Sequence, residues 1–430
     1  GRKSAIHNTI DMSETLKLGN GNWATKKDSL LAYNSENNNF KPLPFNFTRN
    51  SSATRINKEG LIETVGSGIP RVDYSNDSNG ALLLEPTRTN LVTYSEDIES
   101  WSTSGLITKE NNVATSPNGT LNAGTIITND ASGFHRITQS ISVSTNSTYT
   151  SSLFIKKVQS QTNFMGIGFI FTGGTTDVGY VIFDAVNGIA VSADARIDVI
   201  SEVKDFGDYW NLQSTATDNG GNTSLQFNIY ATLSTNGTTT GLGISSKRTI
   251  WGIQLEQGSY ATSYIPTSGG VVTRVAESCS QTPPSGIIGQ TEGTVFLDSK
   301  MALQSINNYQ LFSINNGGGS DRIRILTATG NRLRFIYQLD GGTLFYNFYN
   351  PTDYGDLTNL KIAFTYKSGD IKVYINGVLA DSSTNTFTIA EKLIDIDIAS
   401  STGGYNQMLF NDIKLYNTAL TDQELQALTS

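Results

Sequence analysis

Leu225, Phe227, Ile229, Ala231 and Leu233 occupy every second position of the stretch SLQFNIYATL, with polar or smaller residues between most of them. A period of two held this long does not fit the 3.6-residue repeat of a helix. It predicts a half-buried antiparallel strand. The alternation returns along the chain: Ile137, Ile141 and Val143, with Gln139 as the polar exception; Leu333, Phe335, Tyr337 and Leu339; Ile362, Phe364 and Tyr366; Ile371, Val373 and Ile375. Turn signals separate these runs, among them Asp218-Asn219-Gly220-Gly221, Ser368-Gly369-Asp370 and the hairpin dipeptide Asn376-Gly377. Composition agrees, since 135 of the 430 residues are Ser, Thr or Asn and 41 are Gly, types that favour turns and strand edges over helices. A chain of this length exceeds what one hydrophobic core serves. The expected fold class is all-β, with two tandem β-sandwich domains preceded by an extended N-terminal arm.

Residues 1–45 read as the arm, interrupted by Asn37-Asn38-Asn39 and Pro42-Leu43-Pro44. Within it, Met12 to Leu18 suits either a short helix with Ser13 as N-cap or an extended segment that orders against a neighbouring chain. Residues 46–90 alternate short apolar steps with turns such as Lys58-Glu59-Gly60 and read as a β-rich connecting segment. Residues 91–272 carry the first sandwich. Residues 273–291, with Gln281-Thr282-Pro283-Pro284-Ser285-Gly286, read as a linker. Residues 292–430 form the second sandwich, closed by a short helix that the capping box Thr421-Asp422-Gln423-Glu424 opens.

Charge and rare residues narrow the chemistry. The formal charge is −8, so general binding to a nucleic-acid backbone is not expected. The only histidines are His7 and His135 and the only cysteine is Cys279. This excludes a His/Cys zinc site and any disulfide within one chain. Cys279 has no histidine near it in sequence to activate it, and G-x-S-x-G and P-loop motifs are absent. Neither an apolar run of membrane-spanning length nor a signal peptide is evident. The sequence therefore reads as non-enzymatic and not inserted in a membrane.

Three stretches carry a family resemblance. SSATRINKEGLIETV, PRVDYS and ALLLEPTRTNLVTYSEDI, between Ser51 and Ile98, resemble the entry segment of many bacteriophage tail-fibre and other virion proteins. WGIQLEQGSYATSYIPT, Trp251 to Thr267, is similar to the closing strand of the carbohydrate-binding-module-like jelly roll that follows that segment, and GFHRITQSISVSTNSTYTSSLFIKK and DYWNLQSTAT fit the same domain. IKVYINGVLADSS and FNDIKLYNTALTDQEL look like a concanavalin A-like (laminin-G-like) sandwich. The resemblance implies a structural protein on the virion surface, a fibre or appendage subunit with glycan-binding-type domains for host attachment. It also implies a homo-oligomer, with a trimer favoured, that contacts other virion proteins through residues 1–90. A capsid-decorating head fibre without a specific ligand is the alternative, and a surface-polysaccharide depolymerase is the enzymatic one.

Sugar rings stack on flat aromatic faces while amides and carboxylates bond the hydroxyls. The first sandwich offers Trp101, Phe134, Tyr209, Trp210, Tyr230 and Trp251. Of these, Trp101 lies among polar neighbours and is the glycan-binding candidate, although the resemblance makes it a packing residue. In the second sandwich, Phe345-Tyr346-Asn347-Phe348-Tyr349 puts rings on both faces of a strand. One set must fill the core, and Tyr346 with Phe348 is the candidate for the other face. Asp395 and Asp397 share a strand face. They are the candidate calcium ligands, in keeping with the hard-oxygen preference of Ca²⁺ and with the cation that laminin-G-like domains often carry. No other cofactor is expected.

Overall fold

The computed structural model describes residues 13–32, 43–129, 133–158, 163–193, 196–241, 245–301, 310–317, 320–328, 332–339, 342–349, 359–388, 393–398 and 407–430. Among the described residues the chain is all-β apart from one 3-10 turn and the C-terminal helix Asp422–Thr429. It divides into two compact units. One comprises residues 1–60, 65–86 and 275–430, and the other residues 61–64 and 87–274. The two sandwiches expected from the alternation are present, but their boundaries differ from a linear order. The N-terminal residues fold with the C-terminal ones, and the other sandwich is inserted between them.

The discontinuous unit packs two sheets. In the first, Val378–Ser383, Ile371–Ile375, Leu360–Lys367, Glu292–Met301, Met408–Tyr416, Ala81–Leu84 and Arg71–Asp73 lie side by side, and Leu16–Gly19 also pairs with Met408–Tyr416. In the second the order is Ala24–Lys26, Ser29–Ala32, Leu43–Thr48, Ser278–Gln281, Asp395–Ile398, Gln310–Asn315, Arg322–Ala328, Arg332–Leu339 and Gly342–Tyr349. Leu16, Leu18, Leu30, Phe45 and Phe47 are fully buried in the same core as Phe335, Phe364 and Phe410. Of the stretch read as an arm, the described residues Leu16–Gly19, Ala24–Lys26, Ser29–Ala32 and 43–45 are sheet strands, and so is Ser278–Gln281 of the stretch read as a linker. Leu16 sits opposite Leu415, and Cys279 sits between Phe47 and Ile398. Apolar residues at alternate positions have nowhere to go in an isolated arm, and an existing sheet edge gives them one. Of the two readings for Met12 to Leu18, the described part is extended, and its partner is the same chain.

Local signals behave as chemistry requires. Asn376 and Gly377 both take positive φ, 48° and 80°, as a two-residue hairpin turn demands. Thr421 caps the last helix reciprocally with Glu424, and the helix buries Leu425 against Phe296, Ala363 and Tyr374.

The inserted unit packs a sheet of order Ser102–Ser104, Arg136–Ser142, Ser224–Ser234, Phe164–Thr172, Asp177–Asp184, Ile189–Ala193 on one of order Thr108–Thr115, Leu121–Thr128, Ser246–Gln257, Thr148–Lys156, Tyr209–Thr217, Val199–Phe206. Its core holds Trp101, Ile137, Phe169, Phe227, Ile229 and Ile253. The strand Ser224–Ser234 is half-buried only at its start, because from Phe227 onward both faces are covered. The alternation gave the inward face correctly but not the aromatic cover on the outward one.

Where the discontinuous unit closes on itself it buries four charges. Arg71 donates to both oxygens of Glu277 at 2.7 and 2.6 Å, to Glu85 at 2.7 Å and to the carbonyl of Thr54 at 2.9 Å. Arg49 donates to Glu277 at 2.9 Å and to the carbonyls of Ser51, Gly66 and Ile69. The backbone N–H of Glu85 reaches Glu277 at 2.8 Å, and Gln407 donates to Glu85 at 2.7 Å. The four charged side chains are fully buried in these ion pairs. Desolvation alone would favour neutral Arg71, but the two glutamates hold its pKa above the ordinary arginine range. Removing one member of such a set leaves an uncompensated buried charge, at a cost of about 3–5 kcal/mol. Arg71→Leu is therefore expected to lower the stability of this sandwich by that amount, read as a shift of its urea unfolding midpoint in the full chain.

Candidate functional site

The outward face of the six-stranded sheet containing Arg136–Ser142 brings polar and aromatic side chains into register. Arg136 lies opposite Tyr230, Thr138 opposite Asn228, and Ser140 opposite Gln226. On the next strand Gly168 lies opposite Asn228 and, on its other side, Tyr180. A Cβ at Gly168 would stand 3.0 Å from the Tyr230 ring and 3.1 Å from the Tyr180 ring. A glycine in mid-strand is what lets both rings close over the sheet.

The rings form a connected group. Tyr180 meets Tyr230 edge-on at 6.1 Å, Phe134 meets Tyr230 at 6.5 Å and 85°, and the Arg136 guanidinium lies 5.8 Å from the Tyr230 centroid. Such contacts fix ring orientation at about 0.5–1.5 kcal/mol each. Tyr230 is buried and Tyr180 half-buried, while Phe134 at the edge is 42 % exposed. Burial and the neighbouring Tyr180 push the Tyr230 hydroxyl above its ordinary pKa, so it stays a neutral donor. Beneath the rings the Oδ1 of Asn228, fully buried, the Oγ1 of Thr138 and the Nε of Arg136 have no hydrogen-bond partner.

The same strand borders a cleft of about 470 Å³, lined by Thr93, Ser100, Ser102, Gln139, Ser140 and Ser142 among others. Gln139 was the polar exception in the sequence pattern. Its Oε1 accepts from the N–H of Thr93 at 3.1 Å, while its buried Nε2 has no partner. An amide with a spare donor among hydroxyls is chemistry suited to a polyhydroxylated ligand, but Gln139 lies opposite Phe227, on the other face of the sheet from the ring group.

The residues singled out from sequence fall elsewhere. Trp101 is 2 % exposed, its indole N–H donates to the carbonyl of Tyr94 at 2.7 Å, and its ring packs 6.2 Å from Phe227. It is a core residue and offers no face for stacking, which corrects its place as a glycan candidate. Tyr346 and Phe348 lie in the strand Gly342–Tyr349, opposite Ile336 and Arg334, but their side chains are outside the described residues. Phe345 and Tyr349 are the set that fills the core, with Phe345 5.7 Å from Phe364 and the Tyr349 hydroxyl donating to Asp381 at 2.8 Å.

Asp395 and Asp397 are half-buried neighbours on one face. Asp395 accepts from the Thr282 hydroxyl, and Asp397 accepts from Asn315 Nδ2 at 2.9 Å. Among the described residues no group of three or more His, Cys, Asp or Glu comes together to hold a metal ion, so this pair has no third acidic or imidazole ligand there. Phe134, Gln139 and Tyr230 were visible in the sequence. Tyr180 and Asn228 were not singled out, because only strand order makes them neighbours.

A protein-family model described as the concanavalin A-like lectin/glucanases superfamily matches residues 299–426. No curated protein matches the chain. Among solved structures, it is similar to the receptor-binding domain of botulinum neurotoxin mosaic serotype C/D, with 16 % identity, TM-score 0.31, and coverage of 36 % of this chain and 39 % of that one. The sialidase CBM40 domain of Ruminococcus gnavus bound to α2,3-sialyllactose matches at 15 % identity and TM-score 0.28, over 33 % and 84 % of the two chains. A leech intramolecular trans-sialidase matches at 18 % identity and TM-score 0.30, over 35 % and 25 %. The match spans about two fifths of the length of the first toxin domains in this set.

Burial raises the pKa of Asp397, assisted by the charge of Asp395 and opposed by Asn315. A carboxyl raised in the fold favours the folded state at low pH and loses that contribution as pH climbs through its folded pKa. Asp397→Asn, which keeps an acceptor for Asn315, is expected to raise the melting temperature at pH 7. The difference from the parent protein should vanish below the ordinary carboxylate pKa of about 4.

Proposed function

We propose that this chain is a non-catalytic glycan-binding protein and that the outward face around Phe134, Arg136, Tyr180, Asn228 and Tyr230 takes the sugar. The observation that carries the reading is the coincidence, on one sheet face, of oriented rings with buried polar atoms that lack partners. Phe134, exposed at the edge, and the half-buried Tyr180 are the rings a sugar can reach on this face. The family match over residues 299–426 supports a lectin-type fold for the discontinuous unit as well.

The sequence stretches Ser51–Ile98 and Trp251–Thr267 support a setting for this activity, the surface of a bacteriophage virion. There the protein would act as a fibre or appendage subunit in host attachment, assembled as a homo-oligomer, with a trimer favoured by resemblance. Because much of residues 13–86 is built into sheets, the contact with other virion proteins is assigned to the surface of that sandwich rather than to a free arm. Cleavage of a surface polysaccharide is the second reading, favoured by the adjacent Asp395 and Asp397 and the raised pKa of the latter.

The full chain on a glycan array is expected to bind a restricted set of saccharides and to leave them chemically intact. Phe134→Ala and Tyr180→Ala should each weaken the strongest of these by about 3–10-fold, the worth of one stacked ring. Absence of binding across the array, or release of shorter saccharides, would overturn the reading. Electron cryomicroscopy of intact particles should place density for the chain on the virion exterior.

A further inference from the structure

The nine-stranded sheet of the discontinuous unit has an outward face of different character. Along Arg322–Ala328 the inward residues Ile323 and Ile325 enter the core, so Arg322 and Arg324 point outward. On the next strand Arg334 and Gln338 share that face. Arg322 lies opposite Gln338, Arg324 opposite Ile336, and Leu326 opposite Arg334. Arg324 therefore has one arginine two residues away on its own strand and another diagonally across the ladder. Its other lateral neighbour is Ser313, beyond which lies Asp397.

Their partners are unequal. The Nε of Arg322 donates to Gln338 at 2.9 Å, and Asp397 is engaged by Asn315. Arg324 is half-buried, and among the described residues it makes no hydrogen bond or ion pair; its buried Nε faces no acceptor. Burial and the like charges of Arg322 and Arg334 pull its pKa down to about 10. A guanidinium held among like charges with no counter-ion is destabilised, and an incoming oxyanion relieves both the repulsion and the unpaired donors. The fork of Arg324 matches a carboxylate bidentately. The chain as a whole is negative, at −8, which disfavours an extended polyanion and suits a single charge on an otherwise neutral ligand.

We propose that this face binds a sugar acid, its carboxylate held by Arg324 with support from Arg322 and its hydroxyls reaching Gln338. The site is separate from the aromatic face of the inserted sandwich and does not depend on it.

Calorimetric titration of the full chain with sodium glucuronate, glucose and sodium sulfate tests the assignment. Glucuronate is expected to bind at least tenfold more tightly than either of the others and to raise the melting temperature where glucose does not. Arg324→Gln should lose at least tenfold in glucuronate affinity. Arg324→Lys, which keeps the charge without the fork, should recover only part, and Phe134→Ala should bind glucuronate as the parent does. Glucuronate binding no tighter than glucose, an unchanged affinity in folded Arg324→Gln, or sulfate binding as tight as glucuronate would each overturn it. If Arg324→Gln fails to fold, the partial loss of glucuronate affinity in the charge-conserving Arg324→Lys, set against unchanged binding in Phe134→Ala, decides between the two faces.

Discussion

Four buried charges hold the discontinuous sandwich closed. Glu277 accepts from Arg49, from Arg71 and from the backbone of Glu85, so one carboxylate ties three segments distant in sequence. The connection at 85–86 leads out of this unit and the one at 275–277 leads back, which puts the network where the two halves of the fold must meet. Apolar contacts alone would not fix that meeting, because strands on a smooth core can slide in register. Ion pairs with fully satisfied partners accept one geometry, and here they are reinforced by carbonyls of Thr54, Gly66 and Ile69. A buried set of this kind adds little net stability over an apolar replacement, but losing any one member strands the others' charge.

A second polar group performs the same task in the inserted sandwich. Glu256, fully buried, accepts from the N–H of Thr262 at 2.9 Å and from Gln254 at 2.8 Å, and Gln254 accepts from the N–H of Ile265 at 2.6 Å. Asn90 bonds the backbone at Val92, Ile253, Leu255 and Ile265. Tyr264 donates to Glu96 at 3.0 Å, a carboxyl whose pKa burial raises. These side chains pin the segment after Ser246–Gln257 across the unit and leave the outward face of the other sheet to the aromatic group.

The period-two runs made the all-β class and the inward faces legible, and Asn376-Gly377 and Thr421-Asp422-Gln423-Glu424 located a hairpin and a helix start from local chemistry alone. The partners of Leu16 and Phe45 were not legible, because a strand of four to six residues says nothing about which distant strand it joins. The motifs that carried the family resemblance, PRVDYS, LLLEPTRTN and WGIQLEQGSYATSYIPT, contain Arg71, Glu85, Asn90, Gln254, Glu256 and Tyr264. Their distinctiveness reflects buried polar closure as much as any ligand. Trp101 was misread for a related reason: polar neighbours in sequence suggest exposure, yet a tryptophan with a carbonyl for its N–H can lie deep in a core. Tyr180, Gly168 and Asn228 meet only through strand order, which local patterns do not encode.

The inserted sandwich also sets a timetable. Glu85 and Glu277 are 192 residues apart, and Arg71 and Glu277 are 206. During synthesis the strands up to Leu84 emerge first, yet the carboxylate that locks them arrives only after the insert. At about 5–20 residues per second that interval is on the order of 10–40 s. The insert, whose own ends pair as Arg88–Asn90 with Val272–Arg274, can complete its fold in that time and bring residue 275 back beside residue 86. The early strands can meanwhile pair only with one another, as Ser29–Ala32 does with Leu43–Thr48 and Arg71–Asp73 with Ala81–Leu84. Their edges toward Ser278–Gln281 and Met408–Tyr416 wait open, a liability that their shortness limits. Translation thus orders the assembly: the guest domain is synthesised in full before the carboxylate that closes its host.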